Sequence, residues 1–362
     1  MRIAQVAPLW ESVPPKLYGG TERIVSYLTE ELVRLGHDVT LFASGDSVTA
    51  ARLESVCGHA LRLSKGIFNR DAPMMMQMEQ GLGNSTDFDL IHSHLDFLGF
   101  PFARRNPTPT VATFHGRLDL PELQPVFREY GELPIVSISD AQRRPISWAN
   151  WQATVYHGLP KDLYGVHENP GGYLAFLGRI AAEKRPDHAI EIAKRVGIPL
   201  RIAAKVDPAD QEYFRTEIEP LLSDPLIEFL GEITDAEKDE FLGNATALVC
   251  PYDWPEPFGL VLIEALACGT PVLAYRRGSI PEIIEDGVTG FVCEGIDEMT
   301  AAVQRIPEID RGRCRSSFEQ RFTVERMAHD YVRLYERVLG KTCPKEAEST
   351  SFASWPILST SV

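Results

Sequence analysis

Two carboxylates, Glu256 and Glu264, stand eight positions apart in the run PEPFGLVLIEALACGTPV (255–272), where nearly every other residue is apolar. A carboxylate in such company is rarely buried without a hydrogen-bonding task. The pattern predicts a helix from about Phe258 to Cys268, closed by Gly269, with Glu256 in the proline-bracketed loop before it and Glu264 two turns inside. Free amides at a helix start, with the positive end of the dipole, suit an anion such as phosphate. Both acids would then face a ligand lying along that start; a solvated helix face is the plainer alternative for Glu264.

Upstream, FLGRIAAEKRPD (176–187) places Arg179 just past a strand end and Lys184 just before a helix whose first residue is Pro186. Ligands of doubly wound sheets bind at the carboxyl ends of strands, so two cations there suit a diphosphate, with ordinary surface charge as the alternative. Gly19 and Gly20 in LYGGTERIVSYL (17–28) open the first helix, where paired glycines permit close backbone approach to a ligand or simply form a turn. The stretch is neither G-x-G-x-x-G nor G-x-x-x-x-G-K-[ST], the nicotinamide and P-loop fingerprints. His115 and Gly116 end the strand VATFHG (111–116), the position from which a side chain reaches a cleft, with a structural histidine as the plainer alternative. His92 and His94 alternate along LIHSHLD (90–96), but two imidazoles without a third ligand make a weak metal motif. Asp87-Phe88-Asp89 reads as the turn opening a strand. No G-x-S-x-G elbow is present.

The elements that must position these groups follow a simple order. Apolar strand-like runs at RIAQVAP, DVTLFAS, FDLIHSH, TVATFHG, PIVSISD and ATVYHG alternate with helical patterns, the first helix covering about Thr21 to Leu35. The order then restarts with YLAFLG, LRIAAKV, IEFLGEI, ATALVCPY, TPVLAY and GFVCE. Such runs separated by helices indicate parallel sheets covered on both faces. The fold class expected is α/β: two Rossmann-like, doubly wound parallel-sheet domains facing each other across a cleft. The domains are expected at residues 1–166 and 167–323, divided where Pro and Gly gather in VHENPGG (166–172). An amphipathic helix, VERMAHDYVRLYERVL (324–339), follows its N-cap Thr323, and residues 341–362 read as a loose tail.

At 362 residues and 44% hydrophobic the chain can bury two cores, and its net charge of -15 argues against nucleic acid as the partner. The basic pair Arg143-Arg144 reads as solvated surface. Six scattered cysteines without a C-x-x-C pair suit a reducing cytoplasm. MRIAQVAP is too short in apolar residues for a signal peptide, and Glu264, Gly269 and Pro271 interrupt the one run long enough to suggest a membrane span. Acidity by itself says nothing against peripheral docking on a membrane.

Taken together, Glu256-Pro257-Phe258-Gly259-Leu260 through Glu264-Ala265 (an E-x7-E signature), Gly269-Thr270-Pro271-Val272 and PEIIEDGVTGFV resemble the retaining, nucleotide-sugar-dependent glycosyltransferases of family four, with their GT-B fold. GRIAAEK, LYGGTE, TFHG, SISD and HGL match further landmarks of that family in order, over residues 1 to 340. The resemblance implies that Arg179 and Lys184 hold the donor diphosphate, that Glu264 binds the ribose hydroxyls and Glu256 the transferred sugar. Gly20 and His115 would reach the sugar from the opposite domain, with Gly19 beside them, while amides around Phe258, Gly259 and Leu260 support sugar and phosphate. It further implies a hydroxyl acceptor, small-molecule or glycan or lipid-linked, no metal or other cofactor, and a final helix crossing back to the first domain. Arg185, Ser279 and His157 depart from the family, standing where glycine, glycine and asparagine are common. The rivals are a glycoside hydrolase using Glu256 and Glu264 as its acid pair, a sugar-nucleotide epimerase, and a nucleotide-sugar-binding module without turnover.

Overall fold

A computed structural model describes residues 1–62, 64, 69–83, 86–167 and 170–340. The expected tail therefore lies outside the described residues, as do two positions of the expected domain boundary. The first seven strands are β1 (Arg2–Val6), β2 (Asp38–Phe42), β3 (Arg52–Glu54), β4 (Leu90–Ser93), β5 (Thr110–Thr113), β6 (Ile135–Ser137) and β7 (Trp151–Thr154), forming a parallel sheet in the order β3-β2-β1-β4-β5-β6-β7. The next six are β8 (Leu174–Arg179), β9 (Leu200–Lys205), β10 (Ile227–Gly231), β11 (Ala247–Cys250), β12 (Val272–Tyr275) and β13 (Gly290–Cys293), in the order β10-β9-β8-β11-β12-β13. Every pairing is parallel, which is why the central strands β4, β5, β11 and β12 are buried along their whole length: helices cover both faces and alternation disappears.

β3 carries no apolar run and pairs only with β2 at the sheet edge, so periodicity does not reveal it. β7 begins two residues before the ATVYHG run that predicts it, because Trp151 rather than Val155 enters the ladder. The first helix spans Gly20–Arg34. The helix carrying Glu264 spans Leu260–Ala267, two residues shorter at its start than the pattern predicts. Phe258 is spent instead on packing against Tyr156, His157 and Phe322, and Gly259 turns the chain with a φ of 82° into the helix.

The Val324–Val338 helix starts at Thr323, whose hydroxyl accepts from the Arg326 amide at 3.4 Å, and packs against the Gly20–Arg34 helix. Its Tyr331 and Tyr335 are fully buried, and their hydroxyls meet Thr113 at 3.0 Å and His92 Nδ1 at 2.7 Å in the first sheet. Burying an apolar side chain is worth roughly 1.5–3 kcal/mol, so two buried tyrosines hold this helix firmly on the first sheet. The return is clamped by a two-way backbone ladder, Leu159 N to Phe322 O and Val324 N to Leu159 O, each 2.9 Å.

Candidate functional site

The strand orders reverse direction between β1 and β4 in one sheet and between β8 and β11 in the other. Loops leaving the carboxyl ends of these four strands diverge there and leave a crevice, the standard ligand position of doubly wound sheets. The two crevices face each other across a single cavity of about 510 Å³. All ten residues singled out from the sequence line it: Gly19, Gly20 and His115 from the first sheet, and Arg179, Lys184, Glu256, Phe258, Gly259, Leu260 and Glu264 from the second.

Their partners are less simple than the motifs suggest. Arg179 is held by Asp210 at 2.7 Å and Glu183 at 2.6 Å, with Asp207 at 4.0 Å. Lys184 is ion-paired with Glu256 and lies 4.0 Å from the Tyr252 ring centroid and 4.7 Å from that of Trp254. Trp254 Nε1 also donates to Glu256 at 3.0 Å. Behind Glu256 sits Gly278, where a Cβ would come within 2.3 Å of the Glu256 carbonyl oxygen. Only glycine permits that approach, at a φ of 55°.

Glu264 is 2% exposed; one oxygen receives the Lys238 ammonium at 2.8 Å, and the other is buried without a partner. That carboxylate, part of the cavity lining, therefore keeps one oxygen without a partner.

His115 is joined through Nε2 to His94 Nδ1 at 2.9 Å, and His94 Nε2 meets the Gln5 amide oxygen at 2.8 Å. His157 stacks on the His115 ring at 5.2 Å. Burial pushes the His115 imidazole down to about 3, and it depresses His92, His94 and His157 as well, so the cluster is neutral at physiological pH. The second nitrogen of His115 is buried and unpartnered. The ring nitrogens of His92 and His94 are all taken by Thr113, Tyr335, His115 and Gln5, which leaves the pair no lone pair for a metal. Among the described residues no cluster of three or more His, Cys, Asp or Glu could hold one.

Gly19 is required by packing, since a Cβ there would come within 2.8 Å of Pro15; Gly20 faces Leu260 across the cleft. Of the three family departures, Arg185 adopts a left-handed φ of 50° and is tied to Asp187 at 2.7 Å, while Ser279 donates its hydroxyl to the Phe258 carbonyl at 2.9 Å. The third, His157, forms the floor under His115. Arg143, read as solvated, is half-buried and donates to Ser137 Oγ at 3.1 Å, whereas Arg144 is exposed. Asp89 of the Asp87-Phe88-Asp89 turn pairs with Arg2 at 2.9 Å as the strand opens.

Sequence reasoning passed over Lys238, Trp254, Tyr18 and the Arg23–Asp235 pair, which joins the two halves across the cavity rim. The Tyr18 amide adds a second crossing bond to Glu232 at 2.9 Å, and Ser139 a third, to the Pro257 carbonyl at 2.7 Å. Lys238 lies in the Asp235–Gly243 helix among acidic residues, where it reads as plain surface; only its contact with Glu264 reveals it. No described helix is long and apolar enough to cross a membrane, and the five described cysteines are unpaired.

Comparison with known proteins agrees with this architecture. The family described as Glycosyltransferase Family 4 matches residues 18–157, and that described as Glycosyl transferases group 1 matches residues 166–315. A phosphatidyl-myo-inositol mannosyltransferase of Mycolicibacterium smegmatis is 27% identical over 384 residues, covering 94% of this chain and 95% of the relative. A D-inositol 3-phosphate glycosyltransferase of Thermobifida fusca is 29% identical over 276 residues, 62% of each chain. In fold, the chain superposes on a glycosyltransferase involved in avilamycin A biosynthesis with a TM-score of 0.72 at 22% identity, covering 94% of this chain and 99% of that one. It superposes on Anabaena HepE in complex with UDP and glucose with a TM-score of 0.70 at 18% identity, covering 93% and 100%. Two opposed doubly wound sheets, one shared cavity and two family matches that together run through both halves lead to one conclusion: the chain is a glycosyltransferase of family 4 with the GT-B fold.

Proposed function

We propose that this glycosyltransferase takes a nucleoside-diphosphate hexose, with UDP as the favoured carrier, and passes the sugar to a hydroxyl acceptor with retention at the anomeric carbon. The observation that carries the reading is the single cavity that gathers Arg179, Lys184 and the start of the Leu260–Ala267 helix around Glu256 and Glu264. Its two cations and helix amides suit a diphosphate. Since both cations are already paired with carboxylates, an incoming diphosphate exchanges partners: Lys184 leaves Glu256, and Glu256 turns to the sugar hydroxyls. The free oxygen of Glu264 is suited to a ribose hydroxyl.

In the reaction the bond from the anomeric carbon to phosphate breaks, and its electron pair leaves with the nucleoside diphosphate. Cations and amides fixed in advance stabilise that growing charge; removing one such donor costs roughly 2.7–4 kcal/mol of barrier. The acceptor oxygen attacks from the same face, and its proton passes to the departing phosphate, so no protein nucleophile, metal or further cofactor is required. His115, neutral and with one bare nitrogen, offers the sugar a hydrogen-bonding partner from the opposite domain. The unpaired thiols fit a cytoplasmic enzyme.

Melting curves with UDP, GDP, ADP and NAD test the donor reading. Stabilisation by one nucleoside diphosphate is expected, followed by an α-linked product from its α-linked sugar donor in the anomeric proton spectrum. Absence of stabilisation by any nucleoside diphosphate, or inversion at the anomeric carbon, would overturn it.

A further inference from the structure

A second cavity of about 200 Å³ lies inside the first half of the chain, at the carboxyl ends of β1 and β4. Trp10, Thr21 and Glu22 line both cavities, so the two adjoin and these residues are their shared wall. His94, in its lining, is bonded at 2.9 Å to His115, in the lining of the other.

The polar groups of this smaller cavity are unequal in what they still offer. Gln77 has spent its amide on the carbonyls of Ala7 at 2.7 Å and Phe42 at 3.0 Å, and both nitrogens of His94 are occupied. Two carboxylates remain. Asp96 receives the main-chain amide of His115 but keeps Oδ1 buried and without a partner. It does so on a left-handed backbone with a φ of 49°, a conformation uncommon outside glycine, which turns the residue at the end of β4. Glu22, 5% exposed in the first turn of the Gly20–Arg34 helix, already accepts from its own main-chain amide. Burial raises Asp96 to about 6 and Glu22 to about 7.

No lysine or arginine is among the described residues that line it. Cations around its walls have partners elsewhere: Arg23 pairs with Asp235, Lys205, whose charge with that of Arg23 acts on Glu22, with Asp207 at 2.7 Å, Arg62 with Glu11, and the exposed Arg70 lies 5.6 Å from the ring of Trp10. Leu9, Met74, Met78 and Leu98 supply apolar walls.

Among the described lining residues the one buried side-chain atom left without a partner is thus an acceptor, Asp96 Oδ1. A ligand satisfies it with an O–H or N–H group, and an anion would face the Asp96 carboxylate in a poorly solvated space. We propose that this cavity is the acceptor subsite, and that Asp96 and Glu22 there select a ring-sized acceptor whose inner end bears O–H or N–H donors and no phosphate. The inference rests on the transferase reading above and adds the acceptor's chemical class. It sets this chain apart from relatives whose names include inositol phosphate.

The test uses the full chain saturated with UDP. A panel of single-ring polyols, amino sugars and aminated heterocycles, each alongside its phosphate ester, is titrated and read by melting temperature, and hits are then assayed for turnover. Asp96→Asn is the diagnostic variant: asparagine tolerates the left-handed backbone, and Asp96 lines only the smaller cavity. The unphosphorylated members are expected to bind, and Asp96→Asn to weaken them about tenfold or more, with UDP affinity kept within about twofold. The proposal is overturned if the phosphate esters bind as well or better, if Asp96→Asn leaves acceptor binding intact, or if UDP binds and no member of the panel does. Failure of UDP itself would strike the donor reading instead.

Discussion

The free oxygen of Glu264 allows a sharp test. Replacing Glu264 by Gln preserves shape and leaves the amide oxygen able to accept from Lys238, whose ammonium also keeps Asp235 at 3.3 Å, so the fold is retained. What disappears is the charge on the group proposed to hold the ribose. A hydrogen bond to a charged group contributes roughly 1.5–3 kcal/mol, and each 1.4 kcal/mol is tenfold, so Kd for the nucleoside diphosphate should rise about 10–150-fold. In a melting experiment with ligand at about 100 times the wild-type Kd, binding stabilises the wild type by about 2.7 kcal/mol. The same concentration should stabilise the variant by only about 0.3–1.4 kcal/mol. Isothermal titration calorimetry of wild type, Glu264→Gln and Glu264→Asp gives Kd directly. A variant Kd within about twofold of wild type would refute the ribose assignment, because the one unpartnered oxygen would then do nothing for the nucleotide.

Further outcomes follow from the same contacts. Lys184→Ala strands the Glu256 carboxylate, 7% exposed, with only the Trp254 N–H; denaturant unfolding should register a loss of about 3–5 kcal/mol, largely recovered by adding Glu256→Gln. His115→Ala should lower kcat at least about tenfold while UDP affinity, read by calorimetry, stays within about twofold. Tyr335→Phe keeps the ring but leaves His92 Nδ1 without its 2.7 Å partner, so urea titration should show a cost of about 1–3 kcal/mol. Stability should also depend on pH through His115, which binds a proton in the unfolded chain near 6.5 and in the folded chain only near about 3. Its contribution is complete above the unfolded value and erodes as pH falls below it, by about 1.4 kcal/mol at a pH of about 5.5. Buried Glu22 and Asp96 act in the opposite sense, gaining stability as pH falls through about 7 and about 6. A His115→Phe variant isolates the histidine, and an unfolding free energy with an unchanged slope between about pH 7.5 and 5.5 would refute its assignment as a neutral buried imidazole.

Much of the architecture is legible in order and spacing. Two successions of apolar runs with helices between them specify two parallel sheets, and they do so locally, since each run announces its own burial. Pro186 at a helix start, Thr323 as an N-cap and the apolar spacing of 324–338 each depend on neighbours a few residues away, and the structure places them as expected. The ten candidate residues read from the sequence all line the cavity, because strand ends and helix starts are where doubly wound sheets present ligands.

What the sequence by itself determined, then, is which residues reach the crevice. Only the tertiary structure decided with whom they pair. Lys238 reaches Glu264 from a neighbouring helix, Asp210 reaches Arg179 from the segment after β9, and Tyr335 reaches His92 across more than half the chain. Charges and hydroxyls on an exposed-looking helix face carry no mark of their distant partner, because that partner is chosen by strand order and by the return of the last helix. The same holds for the cavity beside Asp96: its space and its unpartnered acceptor arise from the meeting of β1, β4 and two helices, none of which encodes a cavity alone.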